Sequence, residues 1–189
     1  MSDIEQSSII YETDRLFLRG VSKNDIQGNY FRWFDDQEVC QYNSHGLFPN
    51  TMTAMESFLD SLATSQNAVV WAMIEKESKT HIGNISLQEI NWINRTAEFS
   101  IIIGEKQSWG KGIAAEAAKI LLFHGFQKLN LHRIYCGTAE NNKGMKNLAL
   151  KIGMSEEGSR KKALFFNGQY QDLIEYGILR EDFLTKNES

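Results

Sequence analysis

Cysteine and proline are scarce. Cys40 and Cys136 are the only cysteines and Pro49 is the only proline in 189 residues. Two thiols far apart in the chain, with no CxxC and no histidines at zinc-ligand intervals, exclude a disulfide scaffold and a metal site. They read as reduced, buried thiols. No run of about 18 apolar residues occurs, which excludes a membrane-spanning helix. The first thirteen residues, MSDIEQSSIIYET, lack both a positive run and an apolar stretch long enough for a secretory signal. A cytoplasmic location is therefore expected. There is no excess of basic charge: 20 Lys and Arg stand against 24 Asp and Glu, a formal net charge of −4. That argues against a nucleic-acid binder with a broad basic face. Repeats, low-complexity tracts and linkers are also missing.

With 42% apolar and 23% charged residues, the chain has the composition of one ordinary globular domain, read here as residues 1–189. RLFLRGV (15–21) alternates as a strand and is followed by a helical stretch over 25–34. Thr51 is placed to cap a helix running through MESFLDSLA. Residues 68–76, 80–90 and 95–103 read as three consecutive strands, joined by turns short enough for an antiparallel meander. A helix follows, with Ala114, Ala118, Leu121, Leu122, Gly125, Phe126 and Leu129 on one broad face. Next come a strand at 132–138, a short helix with Met145, Leu148, Ala149 and Ile152 at helical spacing, and Gly153 at its left-handed end. Two strands near 160–167 and 171–180 close the pattern, joined through Asn-Gly, a strong hairpin signal. A meander followed by strand–helix–strand predicts an α+β fold with a mixed sheet.

The glycines of WGKGIAAEA (109–117) admit three readings. A Walker loop requires Ser or Thr after Gly-Lys, and Gly112 stands there. A dinucleotide fingerprint is formally present as Gly110, Gly112 and Ala115. However, it follows a meander instead of turning out of a first parallel strand, and no acid stands about 20 residues on. The third reading is a glycine-lined helix N-terminus, whose orphan amides and dipole favour an anion, with Lys111 able to add a point charge. Its bland counterpart is a glycine turn that only starts a core helix.

This segment, preceded by AEFSIIIG (97–104) and followed by AENNKGMKNLALKIGMSEEG (139–158), resembles the GNAT superfamily of N-acetyltransferases. It is most similar to the branch containing the ribosomal-protein N-terminal acetyltransferases, over about residues 12–180. The superfamily motif, Gln/Arg-x-x-Gly-x-Gly/Ala, fits in two registers: Gln107, Gly110, Gly112, or Trp109, Gly112, Ala114. The second is preferred because this branch commonly writes it WGKGxA before an acid, here Glu116. The resemblance implies a central, mostly antiparallel sheet of about seven strands, flanked by helices and splayed to admit acetyl-CoA. Trp109, Gly110, Lys111, Gly112, Ile113 and Ala114 would hold the pyrophosphate. The backbone of Ile101 and Ile103 would hold the pantetheine arm and polarise the carbonyl, with Asn142 at that arm as well as capping a helix. Two departures stand out. Met145 replaces a usual serine, and Ala149 replaces the tyrosine that serves many members as general acid.

Acetyl transfer also needs a neutral amine. At pH 7 an alkylamine of pKa about 10.4 is neutral to roughly one part in 10³, worth about 4–5 kcal/mol. A carboxylate can take that proton directly or through water. Glu98 is the candidate, because it alternates with Phe99 and faces away from Ala97, Phe99, Ile101 and Ile103. The resemblance agrees, since this branch often has Glu there. Ser100, Tyr135 and Tyr170 are candidate acids. Asn43, Ser44 and His45 lie where the family's acceptor pocket forms. Arg160, Lys161 and Lys162 could meet the 3′-phosphate of CoA but are read first as a solvated loop, and His124 is read as a packed helix residue. The expected activity is acetyl-CoA-dependent N-acetylation, with no metal, of a small-molecule amine such as an amino-sugar nucleotide or polyamine. The alternatives are protein N-termini of ribosomal proteins and, in another class, a non-catalytic CoA-binding regulatory module. Members of this branch are often homodimers.

Overall fold

Alternating sequences become strands, and their order follows the meander. In the computed structural model, which describes residues 8–187, eight strands form one sheet in the order β1-β2-β3-β4-β5-β6-β8-β7. They are β1 (Ile9–Glu12), β2 (Leu16–Gly20), β3 (Val69–Glu75), β4 (His81–Asn91), β5 (Thr96–Ile103), β6 (Arg133–Ala139), β7 (Ser155–Phe166) and β8 (Gln169–Leu179). All neighbours pair antiparallel except β5 and β6. The strand beyond the expected seven is β1, a four-residue edge piece whose IIYE carries no alternation to announce it.

The helices are α1 (Lys23–Ile26), α2 (Asn29–Trp33), α3 (Met52–Thr64), α4 (Ile113–Gln127), α5 (Lys143–Lys151) and α6 (Arg180–Asn187). The helical stretch over 25–34 is divided at Gly28, which sits extended at the start of α2. Thr51 does cap α3, its hydroxyl accepting from the Ala54 amide at 3.1 Å. Asn167 and Gly168 both have positive φ, 52° and 77°, as a two-residue hairpin turn between β7 and β8 demands. No helix among the described residues is long and apolar enough to cross a membrane.

Two apolar clusters lie against the sheet. The larger joins Leu16, Met73, Ile85, Ala97 and Phe99 to Ala118, Leu121 and Phe126 of α4, to Leu148 of α5 and to Ile152 at its C-cap. The smaller packs Ile26, Tyr30, Trp33, Met55 and Leu59 of α1–α3 together, with Ile102 of β5 against it. Strand β5 thus gives alternate side chains to the two clusters, as period-two geometry requires. Its backbone runs between them.

Candidate active site

Where β5 and β6 part, the sheet opens. They pair only from Thr96↔Arg133 to Glu98↔Tyr135. Beyond that rung β5 stays laddered to β4 as far as Ile103↔Gly83, and β6 to β8 as far as Ala139↔Leu173. The facing edges are left without partners in the ladder. The Arg95 carbonyl accepts from the His132 amide (2.7 Å) on the β6 side, and the Gly104 amide donates to Ile82 on the β4 side. Strand alternation therefore turns the N–H and C=O of Ile101 and Ile103 toward the opening. The Ile103 carbonyl is taken there by the Trp109 indole N–H at 2.9 Å. A cavity of about 700 Å³ occupies the gap, lined by Glu98–Ile103 on one side, Gly137 and Thr138 on the other, and Trp109, Gly110, Gly112, Ile113 and Ala114 at one end.

That end is the glycine segment. Gly110 and Gly112 have φ of 72° and 76°, a region that costs other residues about 1–2 kcal/mol. Gly112 is the left-handed N-cap of α4 and offers no side-chain cap, so first-turn amides remain for an anion. A Cβ on Gly110 would meet nothing within 4 Å. One on Gly112 would lie 3.6 Å from Lys151 Nζ and 3.9 Å from an Arg15 guanidinium nitrogen. Open amides flanked by two cations fit a pyrophosphate.

Arg15 and Lys151 were not foreseen. In sequence one starts a strand and the other is an ordinary helix lysine, and only tertiary contact brings them together. Arg15 also donates to the Lys111 carbonyl (2.9 Å) and pairs with Glu116 (2.6 Å), whose other oxygen accepts from Thr13 Oγ1. Those bonds fasten the loop to the β1–β2 turn. Lys111 is not among the residues lining the cavity, and neither is Gln107, whereas Trp109 and Ala114 are. All three residues of the second register line the cavity, and Gly110 and Gly112 of the first do so as well.

Glu98 sits on the last rung before the strands part. Burial pushes its carboxyl above its ordinary 4.5, nearby Glu89 adds to that, and Arg160 opposes it. Glu89 is brought close by a bulge in β4 between Gln88 and Asn91, where its own φ is 51°. Glu98 borders a second cavity of about 300 Å³ as well, walled by Tyr135, Leu164, Phe166 and Leu173 with Arg160 and Glu175 at its side. Asn142 lines the first cavity while capping α5, its Oδ1 accepting from the Met145 amide at 3.1 Å. Its side-chain N–H groups are what it can offer a ligand.

Of the residues expected on the acceptor side, Asn43 lines the first cavity; Ser44 and His45 do not, and His45 stacks on Phe34 with ring centroids 4.4 Å apart. Tyr42, a neighbour in the same QYNSHG stretch (41–46), lines both cavities. Lys161 pairs with Asp172 (2.6 Å) and Arg160 with Glu175 (3.1 Å), so neither ion pair is made at the glycine cradle. His124 packs as expected, its ring hydrogen-bonded to the Tyr11 hydroxyl and edge-on to Trp71. Ala149 is buried in the larger core cluster, away from any proton-transfer role.

The family model of the acetyltransferase (GNAT) domain matches residues 15–155. The spermidine N(1)-acetyltransferase of Vibrio cholerae is 39% identical over 116 residues, 61% of this chain and 66% of that protein. Its counterpart in Escherichia coli K12 is 36% identical over 107 residues, 57% of each chain. The matched segments thus span less than two thirds of these relatives. In three dimensions the likeness is wider. The crystal structure of spermidine N-acetyltransferase from Vibrio cholerae in complex with CoA and spermine superimposes with a TM-score of 0.81 at 28% identity, over 91% of this chain and 99% of that one.

Proposed function

The chain belongs to the GNAT acetyltransferases, and on that premise we propose that it moves an acetyl group from acetyl-CoA to the primary amine of a small cationic molecule. The thioester of acetyl-CoA supplies the activated acyl group; the protein supplies position and proton transfer. The open amides of Gly110–Ala114, with Arg15 and Lys151, take the pyrophosphate. The amides of Ile101 and Ile103 on the open edge of β5, with Asn142, hold the arm in the gap, so that the reacting carbonyl lies beside the last β5–β6 rung. Glu98, at that rung, accepts the proton that the amine sheds as it attacks. Fixing amine and thioester in register removes much of the entropic barrier.

The observation that carries this reading is the position of Glu98. It is a half-buried carboxylate one step before an unpaired backbone edge, and it makes no ion pair among the described residues. Burial raises its pKa above the ordinary 4.5, which makes it a stronger base than a free carboxylate. An unpaired carboxylate is also a seat for an ammonium group. Spermidine acetyltransferases among the relatives, and a spermine complex among the neighbours, make a polyamine the first acceptor to try. Calorimetric titration with acetyl-CoA, followed by thiol release with spermidine, N-terminal peptides and an amino-sugar nucleotide, tests it. Saturable donor binding with turnover on one amine class is the expected result. Donor binding without turnover on any amine would instead favour a regulatory CoA-binding module.

A further inference from the structure

The two cavities share four residues: Tyr42, Glu98, Gly137 and Thr138. Two of these carry readily exchangeable protons, the Glu98 carboxyl and the Tyr42 phenol, while the Thr138 hydroxyl is a far weaker acid. An acetyl transfer needs a base at the nitrogen and a proton for the departing sulfur, within reach of one carbonyl. The position where the resemblance puts a phenol holds Ala149, which has no proton to give. Other hydroxyls are less well placed: Ser100 lines only the first cavity and Tyr135 only the second. Tyr170 is 67% exposed and stacked on Phe165 at the hairpin tip.

Resting on the acetyltransferase reading above, we propose that Tyr42 is the general acid, supplied by the segment before α3 in place of the missing helix tyrosine. Its hydroxyl donates to the Asn141 carbonyl at 3.1 Å, which ties that segment to the turn before α5 and fixes the ring where the cavities meet. Rotation of the O–H about its C–O bond redirects the proton without moving the ring. In the step, the C–N bond forms as the C–S bond breaks, and Glu98 takes the proton leaving the nitrogen. The C–S electron pair stays on sulfur, which receives the Tyr42 proton and departs as the thiol. The phenolate regains a proton from solvent. The charged and titratable groups around the two cavities are Glu38 and Lys143 in the first, Tyr135, Arg160 and Glu175 in the second, and Glu98 in both; Arg160 is paired with Glu175 and Glu38 with Lys106. The Cys136 thiol in the second cavity is pushed up to about 12 by burial, so it does not titrate in the working range.

The test compares wild type with Tyr42→Phe by thiol release across about pH 6–10, with calorimetry confirming that each folded protein binds acetyl-CoA. The expected result is a kcat about 100-fold lower, the low end for a general acid because a thiolate is already a fair leaving group, a KM for acetyl-CoA within about twofold, and loss of the alkaline limb of kcat. A more acidic fluorotyrosine at position 42 should instead move that limb to lower pH. A kcat within about threefold of wild type overturns the proposal, and so does a lower kcat that keeps its alkaline limb, which would mark Tyr42 as only positioning the loop. If wild type itself binds donor yet acetylates no amine, the acetyltransferase reading fails first and takes this one with it. That outcome is recognisable because the defect precedes the substitution.

Discussion

Glu98 and Phe99 are adjacent in sequence and opposite in fate: Phe99 is 1% exposed in the core, while Glu98 faces two cavities. Replacing Glu98 by Gln keeps the shape and removes the carboxylate proposed as the base. The expected loss in kcat is about 10²- to 10⁴-fold, with acetyl-CoA affinity unchanged by calorimetry. Because burial raises the Glu98 pKa, the proton stays on to a higher pH than in a free carboxylate. The wild-type acid limb should therefore lie above 4.5 and vanish in the variant. The glycines give a complementary prediction. Gly110 has open space at its Cβ and a φ of 72°, so Gly110→Leu costs about 1–2 kcal/mol of backbone strain. That lowers Tm by about 2–8 °C, yet it puts a side chain where the phosphates would lie. Donor affinity should fall at least about 100-fold, while circular dichroism still reports a folded protein.

At the scale of elements, strand periodicity and capping are legible in the sequence. β2 to β6, the Thr51 cap and the Asn167–Gly168 turn all lie where the pattern puts them, because each is decided by neighbours a few residues apart. What depends on distant pairing was not legible: the edge strand β1, the break at Gly28, and the meeting of Arg15 and Lys151 at the cradle. The same limit hid a buried ionic group joining α1 to the sheet. Arg19 of β2 and Asp25 of α1 form a two-pronged pair at 2.6 and 2.8 Å, both side chains almost wholly buried, with His81 of β4 3.5 Å from Asp25. Burial alone would raise the Asp25 pKa, but hydrogen bonds from Arg19 and the Ser22 amide and the proximity of His81 hold it below its ordinary 3.8. Asp25→Ala strands a buried guanidinium and should cost about 3–5 kcal/mol at neutral pH, measured by urea unfolding. Since the folded pKa is depressed, the contribution is complete above 3.8 and is lost as pH falls through the folded value. The difference between wild type and variant should accordingly shrink in acid.

Across the whole molecule, one feature of the sheet links stability to function: two well-packed clusters are bridged by strands that stop pairing midway. The residues proposed to bind the donor line both sides of the gap, with Ile101 and Ile103 on β5, Asn142 at the head of α5 and the glycine segment at the head of α4. A ligand spanning them would replace the missing β5–β6 rungs. At about 100 times its Kd, a donor that binds only the folded state adds about 2.7 kcal/mol, or about 5–11 °C in Tm for a chain of this size. The location of that stabilisation is the sharper test. Amides at Ile101 and Ile103, which face the gap, should exchange quickly in the free protein and slow on addition of acetyl-CoA. The Ser100 and Ile102 amides, turned to the β4 ladder by the same alternation, should already be protected. Hydrogen exchange resolved to single residues would read this difference directly. Uniform slowing along β5 would mean that the donor merely tightens the fold, and no change at the odd-numbered amides would mean that the pantetheine arm runs elsewhere.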